Sequence, residues 1–296
     1  NKPSLYGLFK QALRGDNQQD LTKGSIGKAA FLLSVPMVLE MMMESVFAIT
    51  DIFFVSALGA AAISVVGLTE AVITLLYAVA IGLGMAVTAT VARRVGENNI
   101  DGANQVATQT IWLGLGVALV VGIPGSIYAM DILQLMGANA EVAHQGEGYT
   151  AIMLGGCVSI LFLFLFNAIF RGAGDAKIAM KSLWLASGIN IVLDPILIFG
   201  WGPFPEMGLT GAAVATTIGR SIGVLYQLYH LFSVSGKIRI YARKLNLDLA
   251  VIWALLKVSV GGVLQFLIST ASWVFLVRIV SHFGSDAVAG YTIAVR

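Results

Sequence analysis

Long apolar segments alternate with short polar connections along almost the whole chain. Because the hydrocarbon core of a bilayer is about 30 Å thick, a helix needs roughly 20 residues to cross it. By this length the pattern predicts several membrane spans and the beginning of a further one near residue 287. The complete predicted spans cover residues 29–57, 62–90, 105–130, 147–170, 178–200, 209–233 and 250–281.

The composition agrees with an all-α integral membrane protein. Of the 296 residues, 57% are hydrophobic and 11% are charged, whereas soluble domains carry roughly 25% charged residues. The single cysteine, Cys157, excludes an internal disulfide and a cysteine-based zinc site. The sequence contains no phosphate loop and no nucleophile next to a base, so it lacks the common ATPase and hydrolase signatures. We therefore expect no enzymatic activity.

Lysine and arginine occur in alternate connections between the predicted spans. The connections at 58–61, 131–146 and 201–208 contain neither residue type. Since positively charged loops tend to stay in the cytoplasm, this alternation predicts a cytoplasmic N-terminus. The basic residues of the other connections are Lys2, Lys10, Arg14, Lys23, Lys28, Arg93, Arg94, Arg171, Lys177, Lys181, Lys237, Arg239, Arg243 and Lys244.

An internal repeat relates the first and the seventh predicted span. The segment SVPMVLEMM at 34–42 aligns without a gap with SVGGVLQFL at 259–267. Because an even number of spans separates the two copies, both would insert in the same orientation. Two such halves would be related by a pseudo-two-fold axis along the membrane normal, as in some transporter folds. The predicted fold is therefore a polytopic helical bundle of two six-helix lobes.

The repeat also predicts the domain boundaries. Since the chain stops at Arg296 inside an apolar segment, we expect it to be incomplete at its C-terminus, and the whole protein to have twelve spans. The predicted units are a cytoplasmic N-terminal segment (1–28), an N-terminal lobe (29–233), a cytoplasmic inter-lobe loop (234–249) and the start of a C-terminal lobe (250–296).

Three carboxylates lie within the first predicted span: Glu40, Glu44 and Asp51. Spacings of four and seven residues place them on one face of a helix. A charge near the centre of a bilayer costs about 2.5–3.5 kcal/mol on insertion scales, so such residues usually face a protein interior or a water-filled cavity. The stripe therefore predicts an ion or substrate pathway. The positions of the seventh predicted span that align with these three residues hold no acid. We therefore expect ion coupling in the N-terminal half.

The fifth predicted span contains a second polar group. Asn190 and Asp194 are four residues apart and share a helix face. Pro195 follows directly and is expected to kink the helix and to free a backbone carbonyl. These oxygens suit Na⁺, and the carboxylate alone suits a proton. Asp51 is predicted at the same depth, so Na⁺ would lie between these three side chains. The alternative is a structural Asp194 satisfied by Asn or Thr neighbours.

Other polar residues of the spans leave alternatives open. Glu70 adds a further acid, and Arg220 is a mid-span base. Arg220 either pairs with a carboxylate or extends its head group toward an interface. Tyr149 is either a residue of the interfacial aromatic belt or a hydrogen-bond donor in a cavity. Because acids outnumber bases, we expect an electronegative interior that favours cationic substrates.

Five stretches together resemble the multidrug and toxic compound extrusion (MATE) transporters. They are ITDIFFVSALG (49–59), GLGMAVTATVARRVGENN (82–99), FRGAGDAK (170–177), NIVLDPILIFG (190–200) and GLTGAAVATTIG (208–219). The resemblance extends over essentially the whole chain. It implies a two-lobed antiporter of the bacterial inner membrane that expels cationic drugs or toxic metabolites in exchange for H⁺ or Na⁺.

The same resemblance implies roles for individual residues. Asp51, Asn190 and Asp194 match the family's cation site in the N-terminal lobe, and Tyr149 and Thr216 match two residues that assist it.

Glu40 and Glu44 depart from the family pattern, so they would alter proton stoichiometry or substrate preference. The working hypothesis is alternating access by rocking of the two lobes. Neutralisation of an acid would bend the first span at Pro36, and Pro195 is the second predicted hinge.

Two rival functions remain. A lipid-linked oligosaccharide flippase of the same wider superfamily would need a cationic cavity for phosphate groups. The excess of acidic over basic residues within the predicted spans argues against it. A membrane receptor or scaffold would not need carboxylates at matched depth. Beyond the coupling ion we expect no cofactor. The expected partners are small-molecule cations and membrane lipid, without nucleic acid, and the expected state is a monomer.

Overall fold

Helices make up nearly all of the described structure. The computed structural model describes residues 5–14, 25–233, 236–241 and 246–281, and these form ten α-helices and no β-strand. In chain order the helices are α1 (Leu5–Arg14), α2 (Ile26–Ser56), α3 (Ala60–Gly96), α4 (Ile100–Ile127), α5 (Ala129–Leu135), α6 (Ala140–Gly155), α7 (Cys157–Gly172), α8 (Ala176–Phe199), α9 (Gly208–Phe232) and α10 (Leu249–Ser281).

Six helical segments of the described chain are long and apolar enough to cross a membrane. They are α2, α3, α4, α6 together with α7, α8, and the part of α10 from Leu249 to Ser272. The first five predicted spans and the seventh are therefore confirmed. The predicted eighth span lies outside the described residues. The chain is a multi-pass, all-α membrane protein.

The predicted sixth span forms the helix α9 but is less apolar than the other six. Its inward face explains the difference, because it carries Thr216, Arg220 and Gln227. Thr216 and Gln227 are both buried. The polar side chains that α9 supplies to the interior of the bundle thus account for its lower mean hydropathy.

Two further details differ from the predicted spans. The fourth span is a pair of helices, α6 and α7, divided at Gly156. The connection before it contains the short helix α5, which was predicted as loop because seven residues are too few for an apolar period to show. The side chain of Asn139 then caps α6 by accepting a hydrogen bond from the amide of Val142 at 2.8 Å.

The core consists of two clusters of buried apolar side chains, and α7 contributes to both. Phe166 of α7 lies in the first cluster and Leu161 in the second. By contrast, α2 supplies Val55 as its single fully buried member among the described residues of these clusters. Apolar packing therefore centres on α7 and leaves α2 at the edge of the bundle.

Glycines bring α8 and α9 into close contact. A β-carbon on Gly219 would lie 2.6 Å from the carbonyl oxygen of Ala186, and one on Gly211 would lie 2.5 Å from that of Leu197. The hydroxyl of Ser182 donates to the carbonyl oxygen of Gly223 at 3.0 Å across the same seam. Small residues that allow two backbones to approach are the usual basis of helix association in membranes.

The connection before α10 is fixed to the N-terminal half of α4. The Asn104 Oδ1 atom accepts from the amide of Arg239 at 2.8 Å, and Gln109 Nε2 donates to the carbonyl of Asn246 at 2.7 Å. Gln105 Nε2 donates to Asp248, the residue that precedes α10, at 2.7 Å. The described part of the predicted inter-lobe loop, 236–241 and 246–248, thus lies between α9 and α10, and its other residues before Leu249 lie outside the described structure. The division into two lobes stays a prediction.

Replacement of Gly219 by alanine should destabilise the bundle by roughly 1–3 kcal/mol, because the added methyl group would overlap the backbone of α8. The matched control is Gly188→Ala on α8, where a β-carbon meets no atom within 4 Å. That change should be neutral or stabilising by up to about 1 kcal/mol, since alanine favours helix. Thermal unfolding in detergent measures both, and equal midpoints would contradict the proposed seam.

Candidate functional site

A cavity of about 400 Å³ lies between α2, α3, α6, α7, α9 and α10. It brings together charged, hydroxyl-bearing and aromatic side chains from six helices. Its charged lining residues are Glu44, Asp51, Glu70 and Arg220. The other lining residues are Phe47, Ala48, Ile73, Thr74, Tyr77, Ile81, Tyr149, Met153, Phe164, Thr216 and Phe266.

Arg220 lies in the wall of this cavity opposite three carboxylates. Its Nη2 atom donates to the hydroxyl oxygen of Tyr77 at 3.0 Å, and its guanidinium lies 5.7 Å from the centre of the Phe47 ring. Among the described residues, no carboxylate oxygen lies within 4.0 Å of it. The two predicted alternatives were a direct ion pair and extension toward an interface. Arg220 adopts neither and shares a cavity with the acids.

A buried triad adjoins the cavity. Asn190 Nδ2 donates both to Asp194 Oδ1 and to Thr216 Oγ1, each at 3.1 Å. All three side chains are buried, and Asp194 is fully inaccessible. Asp194 Oδ2 and Asn190 Oδ1 have no hydrogen-bond partner within the described structure. Two buried acceptor oxygens are thus left open, which an Asp194 fully satisfied by its neighbours would not show.

The triad and the acidic cavity share one residue and lie side by side. Thr216 lines the cavity and belongs to the triad. A narrow space of about 10 Å³ is lined jointly by Glu44, Asn190 and Arg220, among others. Asp51 lies within electrostatic range of Asp194. The structure therefore brings the residues predicted for the cation site into one region, with Asp51 on the cavity side.

Tyr149 lies in the cavity wall and not on the lipid-facing surface, because only 3% of it is exposed. The interfacial-belt alternative for this residue is therefore wrong. Glu70 also lines the cavity but is exposed there.

Glu40 is not brought to the cavity, although Glu44 and Asp51 are. Its carboxylate is buried and accepts hydrogen bonds from Asn167 and Arg171 of α7. The predicted acidic stripe is thus divided into a cavity part and an ion-paired part. Pro36 and Pro195 both lie inside continuous helices and are buried, so their role as hinges stays a prediction.

The sequence analysis missed Tyr77, which is the partner of Arg220. A signal was present, because Tyr77 follows Glu70 by seven residues and therefore shares its helix face. Ile73, Thr74 and Ile81 of the same face also line the cavity. Phe164 and Phe266 carried no such signal, since aromatic residues are common in apolar spans and neither shares a face with a predicted acid of its own helix.

The described residues contain no group of three or more His, Cys, Asp or Glu side chains that could hold a metal ion. A cation site here would instead combine a single carboxylate with amide and hydroxyl oxygens, as Asp194, Asn190 and Thr216 do. Hard cations accept such neutral oxygens as ligands.

Comparison with known proteins assigns the fold to a family. The MatE family profile matches residues 36–196, which is more than half of the chain and includes Asp51, Tyr149, Asn190 and Asp194. The chain belongs to the MatE family. Its membership also confirms the predicted resemblance.

Individual relatives give the same result. The chain is 27% identical over 277 residues to "Probable multidrug resistance protein YoeA" of Bacillus subtilis, covering 92% of this chain and 60% of the relative. It is 30% identical over 200 residues to "FAD transporter" of Shewanella oneidensis, covering 68% of this chain and 44% of the relative. The chain thus spans about half the length of these curated relatives.

A solved structure shares the arrangement of helices. It is described as the outward-facing conformation of a multidrug resistance MATE family transporter of the MOP superfamily. The TM-score is 0.83 at 31% identity, over 92% of this chain and 60% of that one. The predicted all-α, polytopic transporter fold is therefore confirmed.

Replacement of Thr216 by valine should weaken the triad. Valine preserves the shape but removes one of the two acceptors of Asn190 Nδ2, so we expect a loss of about 0.5–1.5 kcal/mol in the free energy of unfolding. The control is Thr217→Val at the next position, which lies outside the triad. Thermal unfolding of both variants measures the difference, and an unaffected Thr216→Val protein would show that the hydrogen bond contributes nothing.

Proposed function

We propose that the full-length protein is a membrane transporter, and not an enzyme, that exports small organic cations in exchange for H⁺ or Na⁺. The observation that carries this proposal is the charge of the cavity, where Glu44, Asp51 and Glu70 outnumber Arg220. The name of the relative from Bacillus subtilis, a probable multidrug resistance protein, supports export of drugs.

The other lining residues suit the same substrates. The volume of about 400 Å³ is that of a small-molecule site, since ligand pockets commonly measure roughly 300–1,000 Å³. Phe47, Phe164 and Phe266 offer aromatic faces, which attract organic cations through the ring quadrupole. Aromatic contact is tolerant of shape, whereas the carboxylates select for positive charge.

The triad is the proposed site of the coupling ion. A Na⁺ ion would take oxygens of Asp194, Asn190 and Thr216, and a proton would bind Asp194 itself. Either cation would reduce the negative charge near Asp51 and so weaken the hold on a cationic substrate. Exchange requires that the bound ion lowers the affinity for the substrate, because two ligands are coupled only when each changes the affinity for the other.

The movement that exposes the cavity to each side in turn belongs to the same proposal. The whole protein would consist of two six-helix lobes with a cytoplasmic N-terminus, and 250–296 would begin the second lobe. Rocking of the lobes would be accompanied by bending of α2 at Pro36 and of α8 at Pro195, where proline removes a backbone donor inside each helix.

A second candidate substrate class is a dinucleotide such as a flavin. Two observations favour it: the name of the relative from Shewanella oneidensis, an FAD transporter, and the Nη1 atom of Arg220, which has no hydrogen-bond partner within the described structure. The excess of carboxylates opposes it, as it opposes a flippase for phosphate-linked lipids. Competition by FAD in the assay below separates the two classes.

The experiment uses the full-length protein in liposomes loaded with a fluorescent organic cation. A Na⁺ gradient and a pH gradient are imposed separately, and export is followed by fluorescence. We expect one gradient to drive export and Asp51→Asn to reduce the coupled rate about tenfold or more, since it removes a cavity charge. Asp131→Asn, an exposed acid of α5, is the control. Unchanged export in Asp51→Asn would refute the proposal, and inhibition by FAD would favour the dinucleotide class.

Replacement of Asp194 by asparagine tests the coupling site separately. The variant should still bind the organic cation, because Asp194 lies outside the cavity lining, but more weakly, because its neutral side chain resembles the ion-occupied state. The ion gradient should no longer accelerate export, because the carboxylate that binds the ion is gone. Substrate binding is measured by fluorescence polarisation and coupling by export in liposomes. Glu147→Gln, an exposed acid of α6, is the control. Full gradient-driven export by Asp194→Asn would place the coupling ion elsewhere.

A further inference from the structure

The helix α2 has few buried side chains for its length of 31 residues. Its buried residues are Leu32, Pro36, Glu40 and Val55. Between Pro36 and Val55 the one buried side chain is that of Glu40, and Val55 alone of the four joins a core cluster of the described structure. The helix lies along α8, but between Pro36 and Val55 no buried apolar side chain fixes its rotation about its own axis. Yet that rotation decides whether Glu44 and Asp51 face the cavity.

Glu40 makes directional contacts in this stretch of α2. Its Oε1 atom accepts from Arg171 Nη2 at 2.6 Å and from Asn167 Nδ2 at 2.8 Å. The Glu40 side chain is 7% exposed and that of Arg171 is 32% exposed, so the carboxylate is shielded from water, and such shielding strengthens a charge-assisted hydrogen bond. Asn167 in turn accepts a hydrogen bond from Gln227 of α9. The Glu40 side chain thus links α2 to α7 directly, and to α9 through Asn167.

A second contact holds α2 at the adjacent residue. The indole nitrogen of Trp184, on α8, donates to the backbone carbonyl oxygen of Leu39 at 3.1 Å. Consecutive residues of α2 are therefore bound by α7 on one side and by α8 on the other. Two contacts from different directions fix both the depth and the rotation of a helix, whereas one would leave it free to turn.

Because α2 is a continuous helix, the contacts at Leu39 and Glu40 also restrain the direction in which its later residues point. Residues four and eleven positions beyond Glu40 point in nearly the same direction, because a helix has 3.6 residues per turn. These residues are Glu44 and Asp51, and α2 is continuous through both to Ser56. If α2 turned at Glu40, both carboxylates would turn with it and leave the cavity wall.

We propose that Glu40 is a positioning residue, whose ion pair with Arg171 sets the rotation of α2 and thereby presents Glu44 and Asp51 to the cavity. The transport consequence rests on the proposed function, whereas the rotational consequence does not. Glu40 differs in this respect from Glu44, which lines the cavity itself.

The test measures rotation directly in the full-length protein freed of its native cysteines. Single cysteines are introduced as Ala48→Cys, at a cavity-lining position, or Ile49→Cys, where the native side chain is 68% exposed on the outside of the described bundle. Each is labelled with a charged maleimide that reacts in water-filled space. With Glu40 present, position 48 should react much faster than position 49. Glu40→Gln should lower this ratio about threefold or more, as expected when a rotated population becomes comparable to the native one.

Several variants separate positioning from general stability. Ser34→Ala on α2 is the control, since its hydroxyl bonds within its own helix to the carbonyl of Phe31 at 3.1 Å. Arg171→Lys keeps the charge and should preserve more of the ratio than Arg171→Gln. Trp184→Phe removes the second contact without a buried charge and keeps the test available if Glu40→Gln folds poorly.

The outcomes are distinct. A lowered labelling ratio in Glu40→Gln and Trp184→Phe, with Ser34→Ala unchanged, supports the positioning role. An unchanged ratio in both overturns it, even where the melting temperature falls, because loss of stability alone does not turn the helix. Labelling needs neither substrate nor ion gradient. If the liposome assay shows no export while the ratio still changes, the proposed function fails and the positioning role stands.

Discussion

The cost of exposing charge to hydrocarbon is the constraint on which this structure depends. A carboxylate or guanidinium at the centre of a bilayer costs several kcal/mol unless it faces protein or water. The spans of this chain contain Glu44, Asp51, Asp194 and Arg220, and each is turned toward the interior of the bundle. These four charged side chains therefore dictate how their helices are rotated. Polar groups, more than apolar ones, determine the arrangement around the cavity.

Close helix packing then sets the distances within the triad. Gly219 lies against Ala186, and a β-carbon there would also approach Asn190. Because no side chain separates the two backbones at this point, Asn190 reaches Thr216 across the seam at 3.1 Å. The same absence of side chains that allows α8 and α9 to associate thus produces a buried site with open acceptor oxygens. Packing and the proposed ion chemistry share one physical cause.

The three polar centres of the bundle differ in the partners that their carboxylates meet. The Glu40 cluster holds two helices by an ion pair, and the acidic cavity leaves its carboxylates open to a ligand. Glu40 and Asp194 each have one bonded and one open oxygen, but Glu40 meets an arginine, whereas Asp194 accepts only from a neutral amide. An acid paired with a fixed arginine stabilises structure, whereas an acid without such a partner can exchange a mobile cation. Exchange of partners is what transport of a cation requires.

The sequence by itself determined the membrane spans, because a bilayer imposes a length and an apolar character that any single segment must satisfy. It also determined that Asn190 and Asp194 share a helix face, since that depends on local periodicity alone. It could not separate Glu40 from Glu44 and Asp51, which occupy one face of one helix. Only the tertiary structure decided that Arg171 neutralises the first while the others line a cavity. Likewise, the neighbouring helices decided between the belt and cavity alternatives for Tyr149, and they supplied the hydrogen-bond partner of Arg220. Such contacts join residues distant in the chain, and no local pattern encodes them.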